Sequence, residues 1–374
     1  MNNNRIASSQ MISILVIFMF GSLVLAGSFE SDPNIWYSPL TAAVIALPLF
    51  LCYARILSLF PGSNLFDIAV TLFGKFFGKA VVLLYTLYAI FLGGVVIRTF
   101  SEFIRIVAMP ETPQIVIQSF LILLSVYLAK SGVENIGRIS RFVLPIILAI
   151  IIFSVIIAST SVNFENLLPA FNADLSTIFK VSVFKTTLPL GEIILIASMF
   201  SSTEPWKKTS KIFIIALLIE VATLLTVSMR NSLVLGSPSI SMYYFPSYEA
   251  VSISALGEIF TRTELLVGIN YTLAGTIKMG ICVYIASMGI SKISNYEDMR
   301  AFVAPSALIM LFLAVVAAEN AAEFFNLTNY FPYIALLFQL ILPLIMLIAA
   351  EIKVRLNKPA EAAPQGTNNQ GTGS

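Results

Sequence analysis

The sequence predicts an all-α integral membrane protein of ten transmembrane helices. Of its 374 residues, 58% are apolar and only 11% charged. Mean hydropathy is +0.91, and apolar runs of membrane-spanning length recur along the chain between short polar or Pro/Gly connections. Soluble domains carry roughly 25% charged residues, so a water-soluble fold is excluded. About 20 residues of hydrocarbon leave no water for an open backbone, and a helix satisfies its own.

The spans are residues 9–29, 38–59, 80–107, 114–130, 141–159, 182–201, 210–230, 264–287, 301–319 and 330–351. Only 160–181 and 231–263 leave room for structured loops. Residues 1–356 are therefore read as one membrane domain. The tail 357–374, rich in Pro, Gln, Asn and Gly without apolar periodicity, is predicted to be disordered. The first run also has features of a signal peptide, with Arg5 before an apolar stretch and Ala26-Gly27-Ser28 after it. From Ile12 to Ser28 it exceeds an apolar signal core of about 7–15 residues, which favours a retained helix. With the N-terminus placed in the cytoplasm, 15 Lys and Arg fall on the inner side and 6 on the outer, Lys278 lying within a span. That bias predicts both termini in the cytoplasm.

A net charge of +2, scattered over short loops, argues against a nucleic-acid partner. Cys52 and Cys282 lie inside apolar runs and read as small core residues, with no zinc spacing or disulfide framework. Histidine is absent, which removes the usual general base and the Ser-His and Cys-His nucleophile arrangements. The chain is read as a non-enzyme with no cofactor.

Against this apolar background three ionisable residues stand inside spans, Glu192, Glu220 and Lys278. A charge at that depth costs at least about 2.5 kcal/mol. Two spans are also interrupted near their middles, the first by Phe20-Gly21-Ser22-Leu23 and the sixth by Thr186-Thr187-Leu188-Pro189-Leu190-Gly191-Glu192. Proline removes a backbone donor and glycine loosens the helix, so each break can expose N–H and C=O groups to a small zwitterion. Matching breaks in the first helices of two five-helix halves point to an inverted-repeat transporter site. Pro48, Pro145, Pro305, Pro332 and Pro343 show that such interruptions are frequent here, so ordinary kinks are the competing account.

A series of short motifs extends the reading. Phe60-Pro61-Gly62 is followed by Leu72-Phe73-Gly74-Lys75-Phe76-Phe77-Gly78-Lys79, Phe100-Ser101-Glu102-Phe103 and Pro110-Glu111-Thr112-Pro113. Then come Gly132-Val133-Glu134-Asn135-Ile136-Gly137-Arg138, Asn166-Leu167-Leu168-Pro169, Leu235-Gly236 with Phe245-Pro246-Ser247-Tyr248, and Arg262-Thr263-Glu264 ahead of Ile277-Lys278. In order and spacing, over about residues 8 to 355, these resemble the B subunits of bacterial spore germinant receptors. That spore germination permease family lies within the amino acid–polyamine–organocation superfamily. The resemblance implies two inverted five-helix repeats with helices 1 and 6 broken at mid-membrane. It also implies assembly with an A-type membrane subunit and a C-type lipoprotein in the inner membrane of the spore.

In permeases of this group the carboxylate of a bound amino acid meets free N–H groups where helix 1 unwinds. Gly21, Ser22 and Leu23 occupy that place here, with Leu23 standing where a second glycine is common, and Phe20 counts with Leu23, Tyr88, Leu92 and Leu188 among the residues on which pocket size depends. By the same resemblance Tyr88 falls at an aromatic pocket position, with Leu92 one turn away. The alternative is a core tyrosine with a local partner, as Tyr85 suggests. Thr187, Leu188, Gly191 and Glu192 complete the candidate site from the sixth span, and Lys278 from the eighth. Glu192 is placed to attract a ligand ammonium or to pair with a buried cation. Lys278 is expected near Glu192 or Glu220, either as part of the site or as a packing ion pair. Glu220 is left between that site and a face toward a partner subunit. Arg98, Glu102 and Arg105 share one face of the third helix, as a pairing network or a solvated face.

Two functions follow as expectations. One is a sensor that binds a small germinant, an L-amino acid, and shifts the bundle toward a signalling state. The other is an amino-acid transporter coupled to a proton or working by exchange, with Glu192 or Lys278 protonatable. A scaffold without a ligand is a minor third.

Overall fold

The computed structural model describes residues 6–24, 36–168, 173–204, 208–240, 242–254 and 262–356. The predicted tail and the end of the first span lie outside them. A two-residue strand, β1 (Ile6–Ala7), leads into α1 (Ser8–Phe20), then α2 (Ser38–Leu59), α3 (Leu65–Val107), α4 (Gln114–Ser131) and α5 (Val133–Ala158). The second half starts with α6 (Leu175–Thr187), a 3-10 helix at Leu190–Ser202 and β2 (Thr203–Glu204). It continues with α7 (Thr209–Leu235), the short α8 (Pro246–Ile253), α9 (Glu264–Ser294), α10 (Val303–Val316) and α11 (Ala321–Thr328). The last span is α12 (Phe331–Leu336), a π-helical turn at Leu337–Ile341 and α13 (Leu342–Leu356). Among the described residues, nine helices are long and apolar enough to cross a membrane, and Ser8–Phe20 is a shorter apolar one.

Both sequence interruptions are breaks in the backbone. Helix α1 ends in a turn at Gly21-Ser22, and α6 ends before Leu188-Pro189, beyond which the chain winds as a 3-10 helix. The expected third span is preceded by a short helical segment from Leu65, which a kink at Gly74 separates from the long helix that runs on to Val107. The Asn64 side chain accepts from the Asp67 N–H at 2.9 Å and caps an extra segment. Gly74 then turns the chain at φ 78°, a left-handed conformation that favours glycine.

Burial sorts the helices into an inner pair and an outer shell. From Ile14 to Phe20 every residue of α1 is buried, and Leu190 to Phe200 are buried likewise. Helices apolar on every side belong in a core, so the two broken helices occupy the middle of the bundle. The most apolar window of Leu175–Ser201 is 89% buried, against 28% for Phe331–Leu356 at the periphery. Outer helices present one apolar face to lipid, as Phe120, Leu123, Leu124 and Tyr127 do on α4. The centre is held from several sides, since α1 packs on α5, α7 and α9 while α2 packs on α6 and α7. At one end β1 pairs in parallel with β2, tying the start of α1 to the end of the broken sixth helix.

Candidate functional site

The first break supplies an acceptor. In an unbroken helix the Ser22 N–H would bond the Phe18 carbonyl, four residues back. Here Ser22 N–H donates to the Met19 carbonyl at 2.9 Å, and the Phe18 carbonyl instead accepts from the Lys278 ammonium at 2.9 Å. Lys278 reaches it along the face of Gly21. A Cβ on Gly21 would lie 2.9 Å from Lys278 Cδ and 3.3 Å from the Ala274 carbonyl, so only glycine lets the lysine stem pass.

The second break supplies the counter-charge. Glu192 sits in the first turn of the 3-10 helix after Pro189, and its Oε2 accepts from Ser22 Oγ at 2.9 Å and from the Lys278 ammonium. Ser22 Oγ also accepts from that ammonium. The Lys278 ammonium stands 4.4 Å from the centre of the Phe18 ring. Ser22, Glu192 and Lys278 are all 0% exposed, so the charges are compensated by each other and by these bonds. Glu192 Oε1 has no partner among the described residues.

Beside this ion centre lies a polar cluster that the sequence did not announce. The π-helical turn brings in Gln339, whose amide nitrogen donates to Tyr88 OH at 2.7 Å and to the Thr187 carbonyl at 2.8 Å. Tyr53 OH donates to the Gln339 carbonyl, and Tyr85 OH to that of Phe338 at 3.1 Å. The Phe338 ring stacks on Tyr88 with centroids 4.5 Å apart. A π-turn interrupts the usual ladder, and the two tyrosines take up the carbonyls it leaves. A Cβ on Gly191 would stand 2.2 Å from Gln339 Oε1, so Gly191 is what admits the amide. Gly191→Ala is therefore expected to expel Gln339, break both of its amide bonds and destabilise the chain by about 1–3 kcal/mol. A lowered melting midpoint that Gln339→Ala in the same chain restores would confirm the clash, whereas an unchanged midpoint would refute it.

The candidate residues thus divide. Gly21, Ser22, Glu192 and Lys278 meet in the ion centre, while Tyr88, Thr187 and Gly191 gather around Gln339. Leu92 and Leu188 are fully buried apolar residues. Phe20 and Leu23 instead line a small cavity with Arg230, Asn270 and Tyr271, away from the ammonium. Lys278 meets Glu192 and not Glu220. Glu220 is 0% exposed within this single chain, which removes a face toward a partner subunit, and neither of its carboxyl oxygens has a hydrogen-bond partner among the described residues. Arg98 and Glu102, 3% and 0% exposed, form a buried pairing network and not a solvated face. Both cysteines are buried and free, and no cluster of His, Cys, Asp or Glu suited to a metal occurs among the described residues. Of the residues missed, Gln339 had one signal, an amide standing alone in the apolar run 330–351. Arg230 had none, because its place at the end of a span looked like an ordinary flanking charge.

Two broken helices packed at the centre of a bundle define a permease-type membrane protein. The solved structures bear this out at the level of fold. The nucleobase-cation-symport-1 family transporter Mhp1, closed with bromovinylhydantoin bound, matches with a TM-score of 0.70 over 91% of this chain and 77% of that one, at 14% identity. MhsT in complex with L-phenylalanine matches with a TM-score of 0.63 over 93% of this chain and 96% of that one, at 11% identity. The profile of the spore germination protein family matches residues 5–322, and the chain belongs to that family. Spore germination protein KB of Bacillus subtilis (strain 168) is 28% identical over 359 residues, 94% of this chain and 95% of that protein.

Proposed function

We propose that the chain is the B subunit of a spore germinant receptor that binds a small nutrient germinant, an L-amino acid, between the two helix breaks. The observation that carries this reading is the Lys278 ammonium seated on the Phe18 carbonyl, Ser22 and Glu192, which together form a ready acceptor site for a primary ammonium. A germinant amino group competes for Glu192 and displaces Lys278, which separates the two broken helices electrostatically from α9. Such a ligand signals because its affinity differs between the two arrangements, whereas a ligand binding both equally shifts nothing. On this reading the ten helices form two inverted halves, with both termini in the cytoplasm and the chain in the inner membrane of the spore. An A-type membrane subunit and a C-type lipoprotein complete the receptor.

The test is germination of spores carrying Gly21→Trp or Tyr88→Ala against a panel of L-amino acids, with assembled receptor measured alongside. Loss of response or an altered ligand profile at normal receptor level is the expected result. An unchanged response to every ligand would place the signal elsewhere. A transporter in the strict sense is the second reading, favoured by Glu220, a buried carboxyl without a hydrogen-bond partner among the described residues that can carry a coupling proton. Uptake of labelled amino acid into vesicles containing the chain alone separates the two.

A further inference from the structure

An amino group that takes Glu192 leaves the Lys278 ammonium without its counter-charge, inside a bundle where it is 0% exposed. A buried charge without a partner is costly, so the exchange needs a second acceptor within reach. The buried carboxyls among the described residues are Glu102, Glu192, Glu220 and Glu264. Glu102 is taken by Arg98 and Arg105, and Glu264 stands 4.0 Å from Arg262 at the start of α9. Glu220 remains. It is 0% exposed, and each of its carboxyl oxygens lacks a hydrogen-bond partner among the described residues.

We infer that Glu220 is the second seat of the Lys278 ammonium, occupied when a ligand ammonium holds Glu192. The inference rests on the ammonium-capture reading above. Glu220 lies near the middle of α7 and Lys278 near the middle of α9. Both helices pack on α1, whose break carries the Phe18 carbonyl and Ser22 that hold the ammonium at rest. The Lys278 charge already acts on Glu220 in this arrangement. The flexible lysine stem passes the open face of Gly21, so the ammonium can swing while its backbone stays in α9. Glu192 is open to the newcomer as well. Its Oε2 holds Lys278, while its Oε1 has no hydrogen-bond partner among the described residues, so an incoming ammonium docks on Oε1 before the lysine leaves Oε2.

Two seats explain both the bare carboxyl and the signal. Buried polar groups are nearly always hydrogen-bonded, and one that is not asks for a reason. Here the reason is a second arrangement in which Glu220 gains its partner. In the first arrangement the lysine ties α9 to both helix breaks, through Phe18, Ser22 and Glu192. In the second it ties α9 to α7 and frees the breaks to move. A ligand ammonium therefore selects between two discrete pairings of one lysine, which supplies the difference in affinity that a sensor needs.

The test is a cycle of melting midpoints for the full chain in one detergent. Glu192→Gln removes the first seat and should send Lys278 to Glu220. Glu192→Gln combined with Glu220→Gln is therefore expected to lose about 10 °C more than the two single losses together. Adding Lys278→Met should abolish that excess, or restore the chain if the double variant does not accumulate. Additive losses, an excess that survives Lys278→Met, or a double variant that Lys278→Met fails to restore would overturn the second seat. Binding of labelled L-alanine, L-valine and L-leucine to the full chain in lipid nanodiscs gives the other readout. Glu220→Gln is expected to weaken it about 10- to 100-fold, and Glu220→Asp to retain part of it. Binding at the parental strength in Glu220→Gln would show that the displaced lysine does not use Glu220, and would overturn the inference. A parent that binds none of the three acids would overturn the amino-acid reading, while the excess loss in the melting cycle would still support the second seat.

Discussion

Lys278→Met is expected to destabilise the chain by about 3–5 kcal/mol, and the double variant Glu192→Gln, Lys278→Met to recover most of that loss. The single change removes the ammonium and leaves the Glu192 carboxylate fully buried with Ser22 as its remaining donor. Water is excluded from the site, so the uncompensated charge has no solvation to fall back on. In the double variant both charges are gone together, and methionine retains the flexible stem that packs along Gly21 and under Phe18. The two single costs must therefore fail to add. Melting midpoints of the parent, both single variants and the double variant in one detergent decide the matter. Additive losses would mean that Glu192 and Lys278 do not act as a pair.

The second large effect is expected at the other charged cluster. Glu102 is fully buried and accepts from Arg98 at 2.8 Å and from Arg105 at 2.8 Å. Arg98 is also held by the Ala314 carbonyl at 3.3 Å and stands 5.9 Å from the centre of the Phe324 ring, so this cluster clamps α3 to α10 and α11. Glu102→Ala leaves the Arg98 guanidinium buried without its carboxylate and should cost about 3–5 kcal/mol. Arg105, with 35% of its side chain exposed, should cost under about 1 kcal/mol on truncation to Ala, because solvent screens it. Comparable losses from the two truncations would show that the clamp does not depend on burial.

Much of the bundle could be read from residue order alone, for a specific reason. A membrane helix is defined by contiguous apolar residues, and the two breaks by Gly21-Ser22 and Leu188-Pro189, all local features of the chain. The extra segment at the start of α3 escaped because its cap at Asn64 and its turn at Gly74 sit among residues that look like a polar loop. The division of the candidate site was harder to read. Phe20 and Leu23 lie in the same motif as Gly21 and Ser22, yet they line the small cavity shared with Arg230, which Lys278 does not line. Gln339 was missed because a single amide in an apolar helix acquires meaning only when a π-turn aims it at Tyr88 and Thr187.

The sequence by itself determined the membrane class of the protein, the course of its helices, where two of them break, and that charges stand among apolar residues. Those properties depend on neighbours along the chain. Tertiary structure alone decided which charge meets which. Ser22 and Glu192 are 170 residues apart and Lys278 and Ser22 are 256 apart. Both pairings hang on close approaches that glycine permits and on carbonyls that broken helices release. Glu192 and Glu220 are alike in sequence, each a lone carboxyl in an apolar span. Only the packing of α9 across Gly21 sends Lys278 into contact with the first and leaves the second without a hydrogen-bond partner among the described residues.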